Sequence, residues 1–499
     1  MRWFIVLFAL HSCLSSAYGQ PGFNRKYDLD ESLTAFFQCA YVGGDTIAAY
    51  GLAYSDSIFV NKQGLVFAQF DTNGNPINHR VYFDSTGYEY TMNLPGSFIK
   101  LQDESSFVLL AQVLNKGNGL ILKIDNIGDV VLKYEIKDSL LGANRYKALI
   151  EGGNYFYIAG NKTSQNYSSD IFVMCIDKIG NKKWEKSFVA NNRISILSSF
   201  IKVNDNQFVV GAITISPQGT PDSKANLTTK IIGIDSLGNI KYHWESLPTL
   251  DEGVANGLYK SSDGLWCYTT MRSIYDGTDW FYQPVFIKRD SNFNLVFKKR
   301  VDKPRKFING FTYSFPTEDN GWFGVGQSAT FEEYGAITGM TYRLDANGDV
   351  LWNRFDTAQA SIFGLGNYNN LYSATELPGG SIIACGYSER YDTKLWGWLL
   401  KIDRNGCVDT LHCMPVSSAQ QPGFDKQVHV YPNPAGALIR IGGAEADFER
   451  YEIVDLAGRV LDRGEYTQQA IRVEGLPPGA YVLRLFKGEA VLCRKVIKL

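Results

Sequence analysis

One phrase recurs seven times along this chain and constrains its fold more than any other feature. An apolar run ends in aspartate, and in most copies a glycine follows three residues later, before a second run of strand-like residues. Successive copies lie 52 to 58 residues apart, with their aspartates at Asp71, Asp125, Asp177, Asp235, Asp290, Asp345 and Asp403. Six copies have the glycine, and the fifth has Phe293 in its place. A period of this length indicates a repeat architecture.

The residues around each phrase predict four short β-strands per repeat. Aspartate accepts turn hydrogen bonds and glycine supplies a positive φ, so the phrase predicts a hairpin between the third and fourth strands. An apolar run such as residues 208–214 lies upstream of each hairpin, and strand-like segments such as 97–102 precede several of these runs. Four antiparallel strands repeated seven times are typical of a β-propeller. We therefore expect an all-β, seven-bladed β-propeller over residues 20–413. A linear β-solenoid, whose repeats are usually shorter, is the alternative.

Two further expectations concern how the blades pack. Four copies carry an aromatic residue seven positions after the aspartate, namely Trp184, Tyr242, Phe297 and Trp352. We expect these side chains to pack against the neighbouring blade. The first and seventh repeats both look complete, from about Thr34 and Tyr372. We therefore expect the ring to close by packing blade one on blade seven, without a shared strand.

The C-terminal residues no longer follow the repeat. From Val428 they read VHVYPNPAGALIRI, and the YPNP segment cannot be helical, because each proline fixes φ and holds the preceding residue in an extended conformation. Alternating apolar residues follow, separated by turns at residues 455–458 and 477–479. This pattern predicts a small C-terminal β-sandwich of about seven short strands over residues 427–499. A fibronectin-like adhesive module would have a similar pattern.

The same segment closely resembles the type A C-terminal sorting domain of proteins exported by the bacterial type IX secretion system. The resemblance rests on a basic end at residues 495–499 and on the motif residues Tyr431, Pro432, Asn433, Pro434, Asp455, Gly458, Arg459, Gly479 and Tyr481. It implies that the type IX secretion machinery is a partner of this protein. It also implies a route through the periplasm to the outer cell surface or the medium, with release or anchoring left open.

The N-terminus agrees with export. A basic start, a short apolar core and a small-x-small site at residues 17–19 predict a secretory signal peptide over residues 1–19. A lipoprotein signal ending at Cys13 is the alternative, although His11 fits it poorly. A polar segment rich in Pro and Gly, residues 414–426, predicts a linker between the propeller and the tail.

Charge and cysteine content narrow the partners and the chemistry. The net charge is −2, from 49 basic and 51 acidic residues, which does not indicate a nucleic-acid partner. No stretch beyond the signal approaches the ~20 apolar residues of a membrane span, so we expect no transmembrane segment. Cys407 and Cys413 flank a short polar segment, and in an oxidising compartment they predict a local disulfide. The cysteines in apolar runs are expected to be buried thiols, and they are Cys39, Cys175, Cys267 and Cys385.

The sequence offers little support for catalysis. It has no Gly-x-Ser-x-Gly elbow, no His-Glu-x-x-His and no P-loop. Asp345, Asn347 and Asp349 alternate as in part of a calcium loop, but the later bidentate Glu is missing, and the hairpin phrase explains them. We therefore predict no catalytic residue, no cofactor and no metal site.

Two aromatic connections between blades are the better candidates for a site. Residues 83–93 and 273–283 would place aromatic side chains in loops on a rigid scaffold, where function concentrates. Aromatic side chains there would suit sugars or peptides, and they are Tyr88, Tyr90, Tyr275, Trp280 and Tyr282. The sequence thus predicts an exported propeller that binds an extracellular glycan, peptide or protein. An extracellular glycan-active hydrolase on the same scaffold is the alternative.

Overall fold

In the computed structural model every regular element among the described residues is a β-strand. The structure describes residues 22–29, 33–55, 62–85, 89–91, 96–102, 106–114, 116–137, 145–163, 169–188, 194–215, 227–247, 256–261, 263–306, 308–329, 337–358, 368–389, 395–408, 428–442, 448–455, 460–466, 470–487 and 490–499. Several predictions fall outside these residues: the signal peptide 1–19, the linker 414–426, Tyr88, Cys413, Gly458 and Arg459. The chain divides into two compact units, the first ending at Arg404 and the second beginning at Asn405.

The first unit begins with β1 (Phe23–Tyr27), and its remaining strands form successive antiparallel groups. Groups one to three are β2 (Leu33–Gly43), β3 (Thr46–Tyr54), β4 (Gln63–Asp71) and β5 (Pro76–Tyr82); β6 (Tyr90–Thr91), β7 (Phe98–Lys100), β8 (Ser106–Val113), β9 (Gly119–Asp125) and β10 (Val130–Ile136); and β11 (Arg145–Gly152), β12 (Tyr155–Thr163), β13 (Ser169–Asp177) and β14 (Lys182–Phe188). In group two, β6 and β7 both pair with β8 and together take the place of one strand.

The later groups repeat this order. Groups four to seven are β15 (Ile194–Asn204), β16 (Gln207–Ile215), β17 (Leu227–Asp235) and β18 (Ile240–Glu245); β19 (Asn256–Lys260), β20 (Trp266–Tyr275), β21 (Trp280–Arg289), β22 (Leu295–Arg300) and the short β23 (Arg305–Lys306); β24 (Asn309–Pro316), β25 (Trp322–Ala329), β26 (Ile337–Leu344) and β27 (Val350–Asp356); and β28 (Tyr368–Glu376), β29 (Ile382–Glu389) and β30 (Leu395–Ile402). Each group is a meander, as in a propeller blade.

The recurring aspartate phrase forms the hairpin between the third and fourth strands, as predicted. In group four, Gly238 N–H donates to Asp235 O at 2.9 Å, and the Asp235 carboxylate accepts from the N–H groups of Leu237 and Asn239 at 3.0 and 2.8 Å. Gly238 has φ 78°, a conformation that favours glycine. This phrase is therefore a structural turn, and the same backbone bond recurs in five further copies, those at Asp71, Asp125, Asp177, Asp290 and Asp345.

The aromatic residues that follow four of these turns pack on the next group, as expected. A Cβ added to Gly238 would lie 2.8 Å from the Trp184 ring of the preceding group. Trp352 Nε1 donates to Arg404 O in group seven at 3.1 Å. In the fifth copy, Phe293 takes φ 65°, and its ring stacks on Trp244 of group four at a centroid distance of 5.2 Å. Phe293 thus stacks its own ring on the neighbouring group, whereas Gly238 at the same turn position is covered by a ring from its neighbour.

The ring closes through a shared strand, and the expectation of closure by packing alone is wrong. The strand β1, which precedes group one, pairs antiparallel with β30 and supplies the fourth strand of group seven. Tyr27 Oη then donates to Gly74 O of group one at 2.7 Å, and Trp398 Nε1 donates to Asn24 Oδ1 at 2.8 Å. The physical reason is that β30 would otherwise leave an open edge of unpaired backbone groups.

The first strands of the groups lie on the inside of the ring, where each contacts the first strand of a neighbouring group. Most carry a β-bulge, including one between Phe36 and Gln38 in β2 and one between Leu371 and Ser373 in β28. A bulged residue has no partner opposite it on the next strand, so its side chain is re-aimed. Phe37 and Tyr372 occupy two such positions.

The second unit holds seven strands, which are β31 (His429–Tyr431), β32 (Leu438–Gly442), β33 (Arg450–Val454), β34 (Val460–Glu465), β35 (Ile471–Arg472), β36 (Gly479–Lys487) and β37 (Ala490–Lys498). They form a three-stranded sheet in the order β31-β32-β35 and a four-stranded sheet in the order β34-β33-β36-β37. Ile439 and Ile471 from the first sheet and Ile453 and Leu483 from the second share one buried cluster. This unit therefore has a hydrophobic core of its own.

Candidate functional site

The strands of the first unit run between two ends, and different kinds of connection lie at each. The aspartate turns and the turns between first and second strands lie at one end, which we call the turn end. The joins between second and third strands and between successive groups lie at the other, which we call the connection end. Tyr275 and Trp280 lie at the connection end of group five, on either side of the four-residue turn 276–279.

The predicted loop at 273–283 is in fact an extended β-hairpin. β20 and β21 pair in register from Trp266↔Arg289 to Tyr275↔Trp280. β19 pairs with β20 only as far as Thr269, and β22 pairs with β21 only from Val285 onward. Between those positions and the tip, the ribbon extends past both flanking strands, and the short β23 pairs with it at Phe281 and Tyr282. Regular pairing thus replaces the irregular loop that the sequence indicated.

The tip of this hairpin holds two aromatic rings side by side. The centroids of Tyr275 and Trp280 lie 5.0 Å apart at 34°, and Tyr275 is 53% exposed. The Asp276 carboxylate accepts from the N–H groups of Thr278 and Asp279 at 2.9 and 2.8 Å, and Tyr275 Oη donates to Gly277 O at 2.9 Å. These bonds fix the turn, so both rings are held in place before any ligand binds.

Tyr282 lies lower on the same ribbon and is only partly exposed. Its backbone pairs with Arg305 of β23, and Asn309 Nδ2 donates to Tyr282 O at 3.3 Å. Arg305 in turn bonds Asp302 at 2.9 Å and lies 4.6 Å from the centre of the Phe355 ring. Tyr282 therefore belongs to the anchored base of the hairpin, and the tip pair is the better candidate for ligand contact.

Tyr90 does not face solvent, which corrects the expectation that it lies in a binding loop. Its side chain is 1% exposed and packs in the core shared by groups one and two. Its hydroxyl donates to Asp84 Oδ2 at 2.6 Å and accepts from Lys133 Nζ at 2.7 Å. Burial, followed by the bond to Asp84, raises its pKa. Tyr88 lies outside the described residues.

A second aromatic set, which reaches from the middle of two first strands toward the connection end, was not predicted. Phe37 and Tyr372 are bulged residues of groups one and seven, and their ring centroids lie 4.8 Å apart. Tyr387 stacks on Tyr372 at 5.7 Å and 19°. Tyr54, the last residue of β3, is near enough to Tyr387 and Glu389 for both to raise its pKa, after the larger effect of burial. These residues come from strands far apart in sequence, so no local pattern could have revealed them.

A cleft of about 530 Å³ lies at the turn end, where groups five and six meet. Its charged residues include Asp263, Lys288 and Glu376. Lys288 Nζ lies 3.2 Å from Asp263 Oδ2, and the nearly buried Arg343 lies 2.7 Å from Asp319 and 3.2 Å from Glu376. These three carboxylates are therefore already paired with cations.

The pKa of Asp319 shows the effect of this pairing. Burial alone would raise that pKa, but hydrogen bonds from Arg343, Thr317 and Gly321 outweigh it and lower the pKa to about 2. A carboxylate with so low a pKa is a poor general acid near neutral pH. The ion pairs at the cleft thus lie within group five, within group six and between groups six and seven, and the exposed Glu318 also lines the cleft.

Metal and thiol chemistry have the following outcomes in the described part of the chain. No group of three or more His, Cys, Asp or Glu side chains there could hold a metal ion. The Asp345 carboxylate of the calcium-like phrase accepts from the N–H groups of Asn347 and Asp349 at 2.9 and 2.8 Å.

The cysteines predicted to be buried thiols are confirmed as free and buried, and they are Cys39, Cys175, Cys267 and Cys385. Cys407 is disulfide-bonded. Its predicted partner Cys413 lies outside the described residues, so that pairing stays a prediction.

The motif residues of the tail hold its last strand in place. Asn433 Nδ2 donates to Lys495 O, and Asn433 Oδ1 accepts from Ile497 N–H, both at 2.8 Å. The buried Tyr481 donates from its hydroxyl to Pro477 O at 2.7 Å. Gly479 begins the same strand, β36. Among the other described motif residues, Tyr431 is 47% exposed, Pro432 and Pro434 each follow a cis peptide bond, and Asp455 follows β33.

Comparisons with known proteins give a family match for the C-terminal residues and structural similarities over most of the chain. Residues 429–499 match a family described as the secretion system C-terminal sorting domain. The chain is similar in structure to the β-propeller domain of the Trilobed protease from Pyrococcus furiosus, at 11% identity and a TM-score of 0.39, over 73% of this chain and 95% of that one. It is also similar to an oligogalacturonate lyase in complex with manganese, at 10% identity and a TM-score of 0.39, over 76% and 98% of the two chains.

A third similar structure is the polysaccharide lyase Uly1, at 10% identity and a TM-score of 0.41, over 78% of this chain and 93% of that one. A search of curated proteins finds no match. The described part of the chain contains no helix long and apolar enough to cross a membrane. Residues 429–499 are thus a type IX secretion C-terminal sorting domain carried by an all-β, propeller-like protein, which is exported to the cell surface or beyond it.

Proposed function

We propose that this protein is an exported seven-bladed β-propeller that binds a glycan, peptide or protein outside the cell. In this proposal a signal peptide at residues 1–19 is followed by the propeller at 20–413, a linker at 414–426 and a sorting β-sandwich at 427–499. The seven strand groups are the blades. The two tail sheets, which share one buried cluster, are the layers of the sandwich.

One observation carries the binding role: the aromatic pair at the tip of the β20–β21 hairpin. Tyr275 and Trp280 sit on a ribbon that extends past β19 and β22, and their backbone is fixed by regular pairing and by the Asp276 turn. Large aromatic side chains held in advance lose little conformational entropy on binding and offer flat faces to sugar rings or peptide side chains. Group five supports its hairpin with an extra short strand, β23.

The runner-up, a glycan-active hydrolase, needs two carboxylates that face a sugar and differ in protonation. In the cleft between groups five and six, Asp263 is paired with Lys288, and Asp319 and Glu376 are both paired with Arg343. That pairing favours a structural role for these carboxylates. The cleft therefore gives the hydrolase little support, and the hairpin tip stays the better candidate site.

The test is a binding screen of the purified protein on glycan and peptide arrays. The variant replaces Tyr275 and Trp280 with Ala. A matched control is Tyr155→Ala, which removes a 39%-exposed ring at the turn end. We expect the double variant to lose at least ~10-fold in affinity, because loss of anchor aromatics costs roughly 2 kcal/mol or more. We expect both variants to keep the melting temperature, and the control to keep binding.

Two outcomes would contradict this proposal. Unchanged array binding by the double variant would place the ligand elsewhere. Cleavage of a chromogenic glycoside by a protein that binds nothing on the arrays would replace binding by hydrolysis.

A further inference from the structure

The unpredicted aromatic set between groups seven and one has the composition of a binding site. Phe37, Tyr372 and Tyr387 form a compact triangle, with centroid distances of 4.8, 5.7 and 6.1 Å. All three side chains are only partly buried. Tyr54 lies beside them at the end of β3. Phe37 and Tyr372 lie near the middle of β2 and β28, so the cluster reaches from the inner strands toward the connection end with its rings only partly buried.

Bulges place two of these rings. Phe37 and Tyr372 each interrupt the register of a first strand, on either side of the junction where the ring closes. Tyr387 lies on β29 directly opposite Asn370, two residues before Tyr372. The shared strand at β30 fixes group seven, so the two bulges are held against each other. The cluster is a consequence of ring closure.

Carboxylates give the cluster its charge. Glu389, the last residue of β29, is exposed and follows Tyr387 by two residues, so the two side chains lie on the same face of that strand. Its charge also raises the pKa values of Tyr54, Tyr372 and Tyr387, in each case after the larger effect of burial. Glu89 from the connection into group two acts on Tyr54 in the same direction. Three of the groups therefore contribute to one aromatic and acidic surface.

We propose that this surface binds a cationic group: an ammonium, a methylated ammonium or a guanidinium. The faces of aromatic rings attract cations through their quadrupoles, and a nearby carboxylate adds a charge-assisted hydrogen bond. A neutral sugar gains only the ring contact, and an anion meets the like charge of Glu389 and Glu89. The same chemistry suits a lysine or arginine side chain of a peptide and a free organic amine.

This site is separate from the aromatic tip of the β20–β21 hairpin. Its residues belong to groups one and seven with a carboxylate before group two, whereas the hairpin belongs to group five. The two can therefore fail independently. Loss of the hairpin ligand would leave the cationic site untouched.

Calorimetric titration of the full chain tests the proposal with defined probes. The probes are the peptide Gly-Gly-Lys-Gly-Gly with blocked ends, its norleucine analogue and tetramethylammonium. We expect the lysine peptide to bind, the norleucine peptide to bind at least ~5-fold more weakly, and added salt to weaken the lysine peptide. Tetramethylammonium that binds as tightly as the peptide would assign the site to free amines. A tighter peptide would assign it to chain segments.

Variants locate the binding. Glu389→Gln removes an exposed charge and should weaken the lysine peptide about 5-fold or more, whereas Glu318→Gln, an exposed glutamate at the turn end, should not. Tyr372→Phe keeps the ring and should retain most of the affinity, whereas Tyr372→Leu should lose about 10-fold. Equal binding of the two peptides, no binding at millimolar concentrations, or an unchanged affinity in Glu389→Gln would each overturn the proposal.

Discussion

The ring and the tail of this protein use short motifs in opposite ways. In the ring, the aspartate phrase makes the same turn in the six copies from Asp71 to Asp345, so it describes architecture and no particular partner. In the tail, each motif occurs once, and Asn433 of the first motif makes two hydrogen bonds to the last strand. A motif that repeats along the chain indicates the fold, whereas a set of motifs that each occur once, in a fixed order, indicates where the protein is exported.

The largest effect should follow from removing the sorting domain. Deleting residues 426–499 should stop export almost completely and leave the ring folded in the periplasm, because each unit has its own core. Immunoblots of periplasm, cell surface and medium measure this. Trp280→Ala, which alters only the ring, should be exported as before. Normal appearance of the truncated protein in the medium would end the sorting assignment.

Loss of the shared strand should be the next largest effect. Tyr27→Ala removes a buried ring that packs 4.6 Å from Phe70, together with the bond to Gly74 O. We expect a loss of about 3 kcal/mol in the free energy of unfolding, the usual size for truncating a buried aromatic. Denaturant unfolding of the full chain checks it. A change below about 1 kcal/mol would mean that β1 contributes little to closure.

Two glycines with the same backbone separate strain from packing. Gly238 and Gly264 have φ of 78° and 82°, but only Gly238 lies against a ring, that of Trp184. Gly264→Ala should cost about 1 kcal/mol for the left-handed conformation. Gly238→Ala should cost roughly 1–3 kcal/mol more, because the added carbon displaces Trp184. Equal losses in the two variants would show that the contact between groups is too soft to matter.

The smallest effect concerns pH. Burial would raise the pKa of Asp235, but hydrogen bonds from Asn239, Lys241 and Leu237 lower it to about 2. A lowered pKa stabilises the folded state above the unfolded value of about 3.9, and this contribution is lost as the pH falls toward 2. Asp235→Asn should therefore be less stable than the parent at pH 6 and nearer to it at pH 2. A constant difference across this range would exclude the charge as the cause.

The sequence predicted the parts of this molecule that are local. Spacing and turn chemistry were sufficient to predict the repeats, the hairpins and the packing of Trp184 against the neighbouring group. Closure through β1 was missed because five residues ahead of a complete repeat carry no local sign of pairing with β30. The ribbon at Tyr275 was taken for a loop because its polar turn residues obscured the alternation of the strands. Phe37 and Tyr372 were missed because only ring closure brings residues 335 positions apart together.

The claim that the ring binds the ligand and the tail directs export is tested most directly by removing the tail and measuring binding by the ring. The ring alone, residues 20–413, would be screened on the same glycan and peptide arrays as the protein with its tail. We predict that both bind the same ligands with affinities within about 2-fold, because the hairpin tip belongs wholly to the first unit. A ring that folds but loses the ligand, or a tail that binds it alone, would contradict the account.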